Sequence, residues 1–257
     1  MKKNNSLVTA VLIILSLIPL TAFSQETREI ELSAQEILAK ADMLLKYPNG
    51  LMTGMLTHIT PDGKSYNIDV EISTTNDNSL FVLANKNRGR QMKILFNLGG
   101  EDIWVYNILA LKLYHKVDVD RFDPVLETNY SFTDLSNADF QSNYSGEIIG
   151  DVYIKGRESF KLNLDPIDKK GQYGKLVLYV DKKDFMPLRI DYHDRDKVVQ
   201  KTMSVAQVAE FDGRKFPVRY DMLNITKGTL TIFKIFKHDK SVKFEDRIFR
   251  HEYLGDD

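Results

Sequence analysis

The chain changes early from a helical pattern of apolar residues to the two-residue period of β-strands. Ser33 and Glu36 have the spacing of a capping box, which satisfies backbone N–H groups at a helix N-terminus. The apolar residues that follow fall on one helical face, and they are Ile37, Leu38, Ala41, Leu44 and Leu45. Residues 48–50, Pro-Asn-Gly, then end the helix. We therefore predict an N-terminal helix whose apolar face covers another part of the protein.

Most of the remaining chain alternates apolar and polar residues, as half-buried strands do. The clearest example is 65–74, which follows a strand at 52–60 across a Pro-Asp-Gly hairpin turn. Two later segments, 176–180 and 230–236, are apolar on both faces, so we expect them to lie centrally between the core and a cover. Other strands are predicted at 80–85, 91–98, 103–106, 111–117, 185–192 and 215–222.

The number of strands predicts how the sheet is shaped. Roughly ten to twelve strands are expected, and beyond about ten an open sheet tends to curl. No linker or shift in composition divides the chain, so one curled domain is the simplest arrangement. The expected fold class is mostly β (α+β), with a single curled antiparallel sheet and an N-terminal helix.

A short helical signal interrupts the strands at 130–140. Ser131 or Thr133 can cap a helix of one or two turns, and Asp134 favours its positive end. An apolar underside is supplied by Phe132, Leu135 and Phe140. A helix this short is not stable alone, so it must lie on a surface. Two interpretations are open: a structural plug, or a lid over the mouth of the curled sheet that lifts because it buries so little.

Aromatic residues are concentrated around this segment. Trp104, Tyr106 and Tyr114 lie on adjacent predicted strands, and they are either ordinary core or the wall of a cavity. With so little helix, the sheet has few side chains to fill its own concave face, and an unfilled apolar concavity is a ligand site. The candidate cavity and lid residues are Phe81, Phe96, Trp104, Tyr106, Tyr114, Tyr130, Phe132, Leu135, Phe140 and Tyr144.

Residues 1–24 have the pattern of a secretory signal peptide. Lys2 and Lys3 precede an apolar segment at 7–18, and Ala22-Phe23-Ser24 provides a cleavage site. An uncleaved membrane anchor is the alternative, but polar residues and Pro19 weaken the apolar run. We therefore expect cleavage after Ser24 and an exported, soluble and periplasmic product.

Composition and charge exclude several classes of function. With no Cys, the chain has no disulfide, thiolate zinc site, thiol nucleophile or acyl-cysteine anchor. The net charge of −1 provides no basic field for nucleic acid. The five His are scattered, and no nucleophile elbow, phosphate loop or dinucleotide fingerprint is present. We therefore expect no enzyme activity, no cofactor and no metal site.

The order and spacing of several short motifs resemble the LolA-like outer-membrane lipoprotein-sorting protein family. The likeness extends from about residue 34 to 254. The motifs are Ile103-Trp104-Val105-Tyr106, the run from Asn129 to Leu135, Ile149-Gly150, Gly156-Arg157, Leu178 to Lys182 with Pro187, and Tyr192-His193-Asp194 leading to Lys197.

This resemblance implies that residues 25–257 form one unclosed β-barrel domain of about eleven strands with a short helical lid. It implies a hydrophobic cavity for the acyl chains of lipids or lipoproteins, carried through the periplasm toward the outer membrane. An inner-membrane exporter and an outer-membrane acceptor are the implied partners. Three alternatives remain: a periplasmic sensor or regulatory module of the same fold, an accessory subunit of a lipid exporter, and a purely structural protein with a filled core.

Overall fold

The helix and strand patterns combine into one long sheet with a few short helices. The structure is a computed structural model that describes residues 32–85, 90–136, 138–211 and 213–256, with the backbone alone at Arg90 and Gln91. These residues belong to one compact unit. The signal peptide expected at 1–24 lies outside the described residues. Within the described part of the chain, no helix is long and apolar enough to cross a membrane.

Thirteen strands form a single antiparallel sheet. In chain order they are β1 (Gly50–Ile59), β2 (Ser65–Thr75), β3 (Asn78–Asn85), β4 (Arg90–Asn97), β5 (Asp102–Asn107), β6 (Lys112–Lys116), β7 (Tyr144–Ile154), β8 (Arg157–Pro166), β9 (Lys175–Asp181), β10 (Pro187–His193), β11 (Val199–Phe211), β12 (Arg214–Asn224) and β13 (Thr229–Asp239). The order across the sheet is β6-β5-β4-β3-β2-β1-β13-β12-β11-β10-β9-β8-β7. Two meanders therefore meet where β1 pairs with β13, and β6 and β7 are left as the two edges of an unclosed barrel.

The expected fold class is confirmed, but the expected eleven strands are too few. The three strands that the pattern did not predict are β7, β8 and β11. Most residues of the edge strand β7 are exposed, so its sequence lacks the alternation of a half-buried strand. In β11 the charged Lys201 occupies a buried position on the same face as Met203, which interrupts the apolar pattern. Of the two segments that are apolar on both faces, 230–236 lies in the central strand, whereas 176–180 lies third from an edge.

The N-terminal helix α1 (Ala34–Leu45) covers the sheet as predicted. Ser33 Oγ accepts a hydrogen bond from the Glu36 N–H at 3.3 Å, and Glu36 Oε2 accepts one from the Ser33 N–H at 2.8 Å. The helix packs on β7, β10 and β12. A glycine makes the first of these contacts possible, because a Cβ at Gly146 of β7 would lie 3.0 Å from Leu38 Cδ1.

The segment after β6 contains two single-turn helices, α2 (Phe132–Leu135) and α3 (Phe140–Asn143). The predicted helix start is confirmed, because Ser131 and Asp134 form a second capping box. Phe132, Leu135 and Phe140 are all buried in the main hydrophobic core together with α1 and one face of the sheet. The two short helices and α1 therefore lie on that same face and close it over.

A second, smaller core lies on the opposite face of β3 to β5. Alternation separates the two faces cleanly, since Ile103 and Val105 belong to the main core and Trp104 and Tyr106 pack in the second one. The second core is completed by the C-terminal segment through Phe249, which lies in a short 3-10 turn. One half of the sheet is therefore covered on both faces.

Candidate functional site

A cavity of about 930 Å³ lies between the sheet and the segment that contains α2 and α3. Its deep wall comes from the neighbouring strands β9 to β13, and the contributing side chains are those of Leu176, Ile190, Tyr192, Met203, Tyr220 and Phe233. Cross-strand pairing places these residues side by side, as in Leu176 with Tyr192, Ile190 with Met203 and Tyr220 with Phe233. The wall is therefore a continuous apolar and aromatic surface.

The cavity opens to solvent at one end. Leu98 and Val119 line it there and are 67% and 70% exposed. Charged and exposed residues share this mouth, namely Glu101, Asp118, Lys170 and Arg195. A deep apolar space with a polar entrance is the arrangement in which the apolar part of a ligand is buried and its polar part stays in water.

Six tyrosines line the cavity: Tyr47, Tyr130, Tyr144, Tyr173, Tyr192 and Tyr220. Burial raises the pKa of Tyr144 to about 12. Burial also holds the pKa of Tyr130, Tyr192 and Tyr220 well above the usual tyrosine value. These hydroxyls therefore stay neutral at any physiological pH, and each can donate a hydrogen bond.

A buried ion pair anchors the cover to the wall. Lys201 Nζ of β11 lies 2.9 Å from Asp134 Oδ2 of α2, and the two side chains are only 11% and 3% exposed. The Tyr173 hydroxyl donates to Asp134 Oδ1 at 2.8 Å. Lys201 also donates to the Asn129 carbonyl at 3.0 Å, so the segment before α2 is held as well.

Asn129 adds an uncharged anchor to the same segment. Its Nδ2 donates to the carbonyls of Met222 and Thr229, each at 2.9 Å, and its Oδ1 accepts from Thr229 Oγ1 at 2.7 Å. Phe132 and Leu135 are 3% and 1% exposed. The premise of the lid interpretation, that this segment buries little, is therefore wrong: α2 is held by deep side chains and by a charge pair.

The second helix of the cover is held by α1. Asp42 Oδ1 and Oδ2 accept hydrogen bonds from the N–H groups of Phe140 and Gln141, each at 2.9 Å. Burial raises the pKa of Asp42 to about 6, although the two N–H donors act in the opposite direction. The carboxylate that secures α3 therefore has a pKa well above that of an ordinary aspartate.

Four of the ten predicted site residues line the cavity, and they are Tyr130, Leu135, Phe140 and Tyr144. Phe132 is buried beside them in α2, with Lys116 Nζ 5.0 Å from the centre of its ring. Phe81 and Phe96 lie in the core beyond Tyr47, where the ring centroids of Tyr47 and Phe81 are 5.5 Å apart.

The assignment of Trp104, Tyr106 and Tyr114 to the cavity is corrected by the structure. Trp104 and Tyr106 occupy the alternate positions of β5 and pack in the second core, on the opposite face of the sheet. Tyr114 lies on the edge strand β6 and is 44% exposed. For Trp104 and Tyr106 the physical reason is the two-residue period of a strand, which turns them away from the face that holds Ile103 and Val105. Tyr114 pairs with Val105 and lies on that same face, but at the edge of the sheet and outside the cavity lining.

Sequence reasoning missed most of the deep wall. Tyr47, Tyr173, Tyr192 and Tyr220 line the cavity although none was predicted there. A signal existed for two of them, because Tyr192 and Tyr220 alternate with polar residues along strands that were predicted. Among the described residues, no group of three or more His, Asp or Glu side chains is placed to hold a metal ion.

Comparisons with solved structures show the same fold. A "putative outer membrane lipoprotein-sorting protein domain" from Vibrio parahaemolyticus has a TM-score of 0.76 at 17% identity, covering 86% of this chain and 98% of its own. A DUF1329 family protein from Desulfovibrio piger has a TM-score of 0.75 at 18% identity, covering 86% and 97%. A LolA superfamily protein from Nitrosomonas europaea has a TM-score of 0.71 at 21% identity, covering 87% and 100%.

Sequence comparisons add the family. A search of curated proteins gave no match. A family model described as "Uncharacterized protein" matches residues 75–256, which is most of the chain and includes every strand from β3 to β13. The chain therefore belongs to this family, and its resemblance to the LolA-like proteins is confirmed at the level of the fold.

Proposed function

We propose that this protein is a non-enzymatic carrier that binds the acyl chains of lipids or lipoproteins in its cavity. The observation that carries the proposal is the cavity itself, about 930 Å³ in volume, with an apolar wall and a charged mouth. This volume falls within the range of about 300–1,000 Å³ that is common for small-molecule sites. A structural protein with a filled core has no such space.

The energetics favour acyl chains as ligands. Each buried methylene contributes roughly 0.8 kcal/mol, so a chain of about sixteen carbons offers about 12 kcal/mol before the costs of association. Those costs take about half or more of the total, which still leaves useful binding. A net affinity of this modest size also permits release to an acceptor.

The proposal also includes a direction of transport. A signal peptide at residues 1–24 would deliver the domain to the periplasm, and one structural relative is described as an outer membrane lipoprotein-sorting protein domain. We place the chain on a route from an inner-membrane exporter to an outer-membrane acceptor. The cover over the cavity is secured by the Asp134–Lys201 pair, so loading requires the ligand to enter at the mouth or the pair to separate.

The experiment is to purify the mature protein, identify bound lipids by native mass spectrometry, and measure displacement of a fluorescent fatty acid. Met203→Trp places a larger side chain in the deep wall, next to Ile190. Excluding even two methylenes lowers the affinity for a long chain by about 10-fold or more and shifts the preference to shorter chains.

The matched control is Leu223→Trp, which adds the same ring to the neighbouring strand at a position that is 44% exposed. It should leave binding unchanged, and thermal unfolding verifies that both variants fold. The proposal fails if the wild-type protein carries no lipid and displaces no probe, or if both tryptophan variants bind as the wild type does.

A further inference from the structure

Tyr130 and Arg121 both line the cavity, and each has a buried polar atom without a hydrogen-bond partner among the described residues. The Arg121 guanidinium still donates through Nη2 to the Gly100 carbonyl at 2.6 Å, whereas the Tyr130 side chain has no other polar atom to pair. The side chain is 2% exposed and lines the cavity, yet its hydroxyl has no hydrogen-bond partner in the part of the chain that the structure describes. The ring is held in place by an edge contact with Phe233, with 6.2 Å between centroids. The backbone is fixed as well, because the Tyr130 carbonyl accepts from the Val125 N–H at 2.8 Å.

Other tyrosines of the cavity differ in this respect. The Tyr173 hydroxyl donates to the Asp134 carboxylate at 2.8 Å, and the Tyr192 hydroxyl lies 3.9 Å from the sulfur of Met203. Burial raises the pKa of Tyr130 far above its usual value, and the nearby hydroxyls of Tyr192, Tyr47 and Tyr220 add to that shift. The deep part of the cavity is therefore a cluster of neutral hydroxyls, with Tyr130 as its free donor.

A buried donor without a partner is costly, and a ligand acceptor removes the cost. A bare hydrocarbon leaves the hydroxyl unpaired, whereas a carbonyl oxygen pairs it. A carboxylate is a poorer fit at the Tyr130 hydroxyl, because the Asp134 carboxylate is among the groups that act on it and Lys201 is already paired with Asp134. The chemistry that matches the site is a neutral acceptor attached to an alkyl chain.

We propose that the cavity selects ligands in which an ester or amide carbonyl adjoins the acyl chain, and that Tyr130 donates a hydrogen bond to that carbonyl. This inference rests on the proposed carrier function and narrows its ligand class. It places the linkage between chain and headgroup inside the cavity, so the headgroup points to the charged mouth. Glycerolipids and lipoproteins both provide such a carbonyl, as an ester or as an amide.

The test compares three ligands of equal heavy-atom number: methyl dodecanoate, N-methyldodecanamide and pentadecane. Each competes with a fluorescent fatty acid for the wild-type protein and for Tyr130→Phe, which removes only the hydroxyl. The ratio of the two dissociation constants cancels the different solubilities of the ligands. We expect Tyr130→Phe to weaken ester and amide binding by about 5- to 10-fold and to leave pentadecane binding unchanged or slightly stronger.

Comparing the ester with the amide shows which of the two linkages the subsite prefers. Tyr153→Phe is the matched control, since it removes a hydroxyl from a side chain that is 72% exposed on β7. The melting temperature of ligand-free Tyr130→Phe should equal or exceed that of the wild type, because the variant loses an unpaired buried group.

Two outcomes separate this inference from the proposed function. If the wild type binds all three ligands and Tyr130→Phe changes their affinities equally, the carbonyl subsite is wrong and the carrier function stands. If the wild type binds none of them and displaces no probe, the carrier function itself is wrong.

Discussion

Two aromatic regions lie on opposite faces of one sheet, and comparing them explains why we propose only one of them as a ligand site. On one face, the tyrosines of β10 and β12 surround an open cavity. On the other face, Trp104 is stacked between His115 and His251, with ring centroids 4.1 Å and 4.0 Å apart. The C-terminal segment fills the second region with its own side chains, whereas α2 and α3 span the first without filling it.

The polar atoms of the two regions do not make this distinction alone, because Asn97 Oδ1, cross-strand from Asp102 on the side of the second core, is also buried without a partner among the described residues. Trp104 Nε1 donates to Asp102 Oδ2 at 3.0 Å, and Asp102 Oδ1 lies 2.8 Å from His115 Nε2. The Tyr130 hydroxyl has no partner among the described residues. Aromatic content therefore does not identify a binding site. The proposed site differs from the second core in having open space beside such an unpaired atom.

The largest loss of stability is expected for a variant that breaks the ion pair holding the cover of the cavity. Lys201→Met leaves the Asp134 carboxylate buried beside Tyr173 without its cation, and losing one partner of a buried pair costs about 3–5 kcal/mol. We expect the free energy of unfolding in urea to fall by that amount. The double variant Asp134→Asn with Lys201→Met should recover part of it, and equal stability of the single and double variants would contradict the assigned role of the pair.

The next largest loss of stability is expected for a variant that opens the second core. Trp104→Ala removes the ring between two histidines and opens the second core, so we expect a loss of about 2–3 kcal/mol in the free energy of unfolding. The affinity for the fluorescent fatty acid should not change, because this side chain faces away from the cavity. A loss of binding in a variant that is still folded would contradict the placement of Trp104 outside the proposed ligand site.

The smallest expected effect is a pH dependence of stability that arises from Asp42, the α1 residue that holds α3. The pKa of Asp42 is raised from its ordinary 3.8 to about 6, so the folded protein binds this proton more tightly than the unfolded chain does. The resulting stabilisation is fully present below about pH 3.8 and is lost as the pH rises through 6. Relative to Asp42→Asn, the wild type should therefore gain about 2 kcal/mol between pH 7 and pH 4.

Urea unfolding of both proteins at intervals between pH 4 and pH 8 measures this difference. Asp239→Asn is a suitable control, since that carboxylate is fully exposed and its pKa is lowered by hydrogen bonds from Ser241. A difference between the wild type and Asp42→Asn that does not vary with pH would show that Asp42 titrates normally.

Much of the fold was predictable because its determinants are local. The capping box of α1 lies within four consecutive residues, and the alternation of β2 and β5 identifies their two faces. Strands with a charged residue on the buried face, such as β11 with Lys201, were not predictable in this way. The charge is tolerated only because Asp134, far away in the sequence, lies against it.

The candidate site was predictable only in part, for a related reason. The segment from Tyr130 to Phe140 carried its helix signals and its apolar underside in its own sequence. The wall opposite it comes from β9 to β13, which reach that position through pairing between distant parts of the chain, as in β1 with β13. No local pattern specifies such a neighbour.

The sequence by itself determined the α1 helix, ten of the strands, the capped turn at Ser131, and which side chains of each strand share a face. Only the tertiary structure decided which of those faces is concave, that Trp104 lies outside it, and that six tyrosines from separate parts of the chain converge within it. The reason is that alternation along a strand relates neighbouring side chains to each other. The curl of the sheet and the packing of α1, α2 and the C-terminal segment then determine which face becomes a filled core and which retains space.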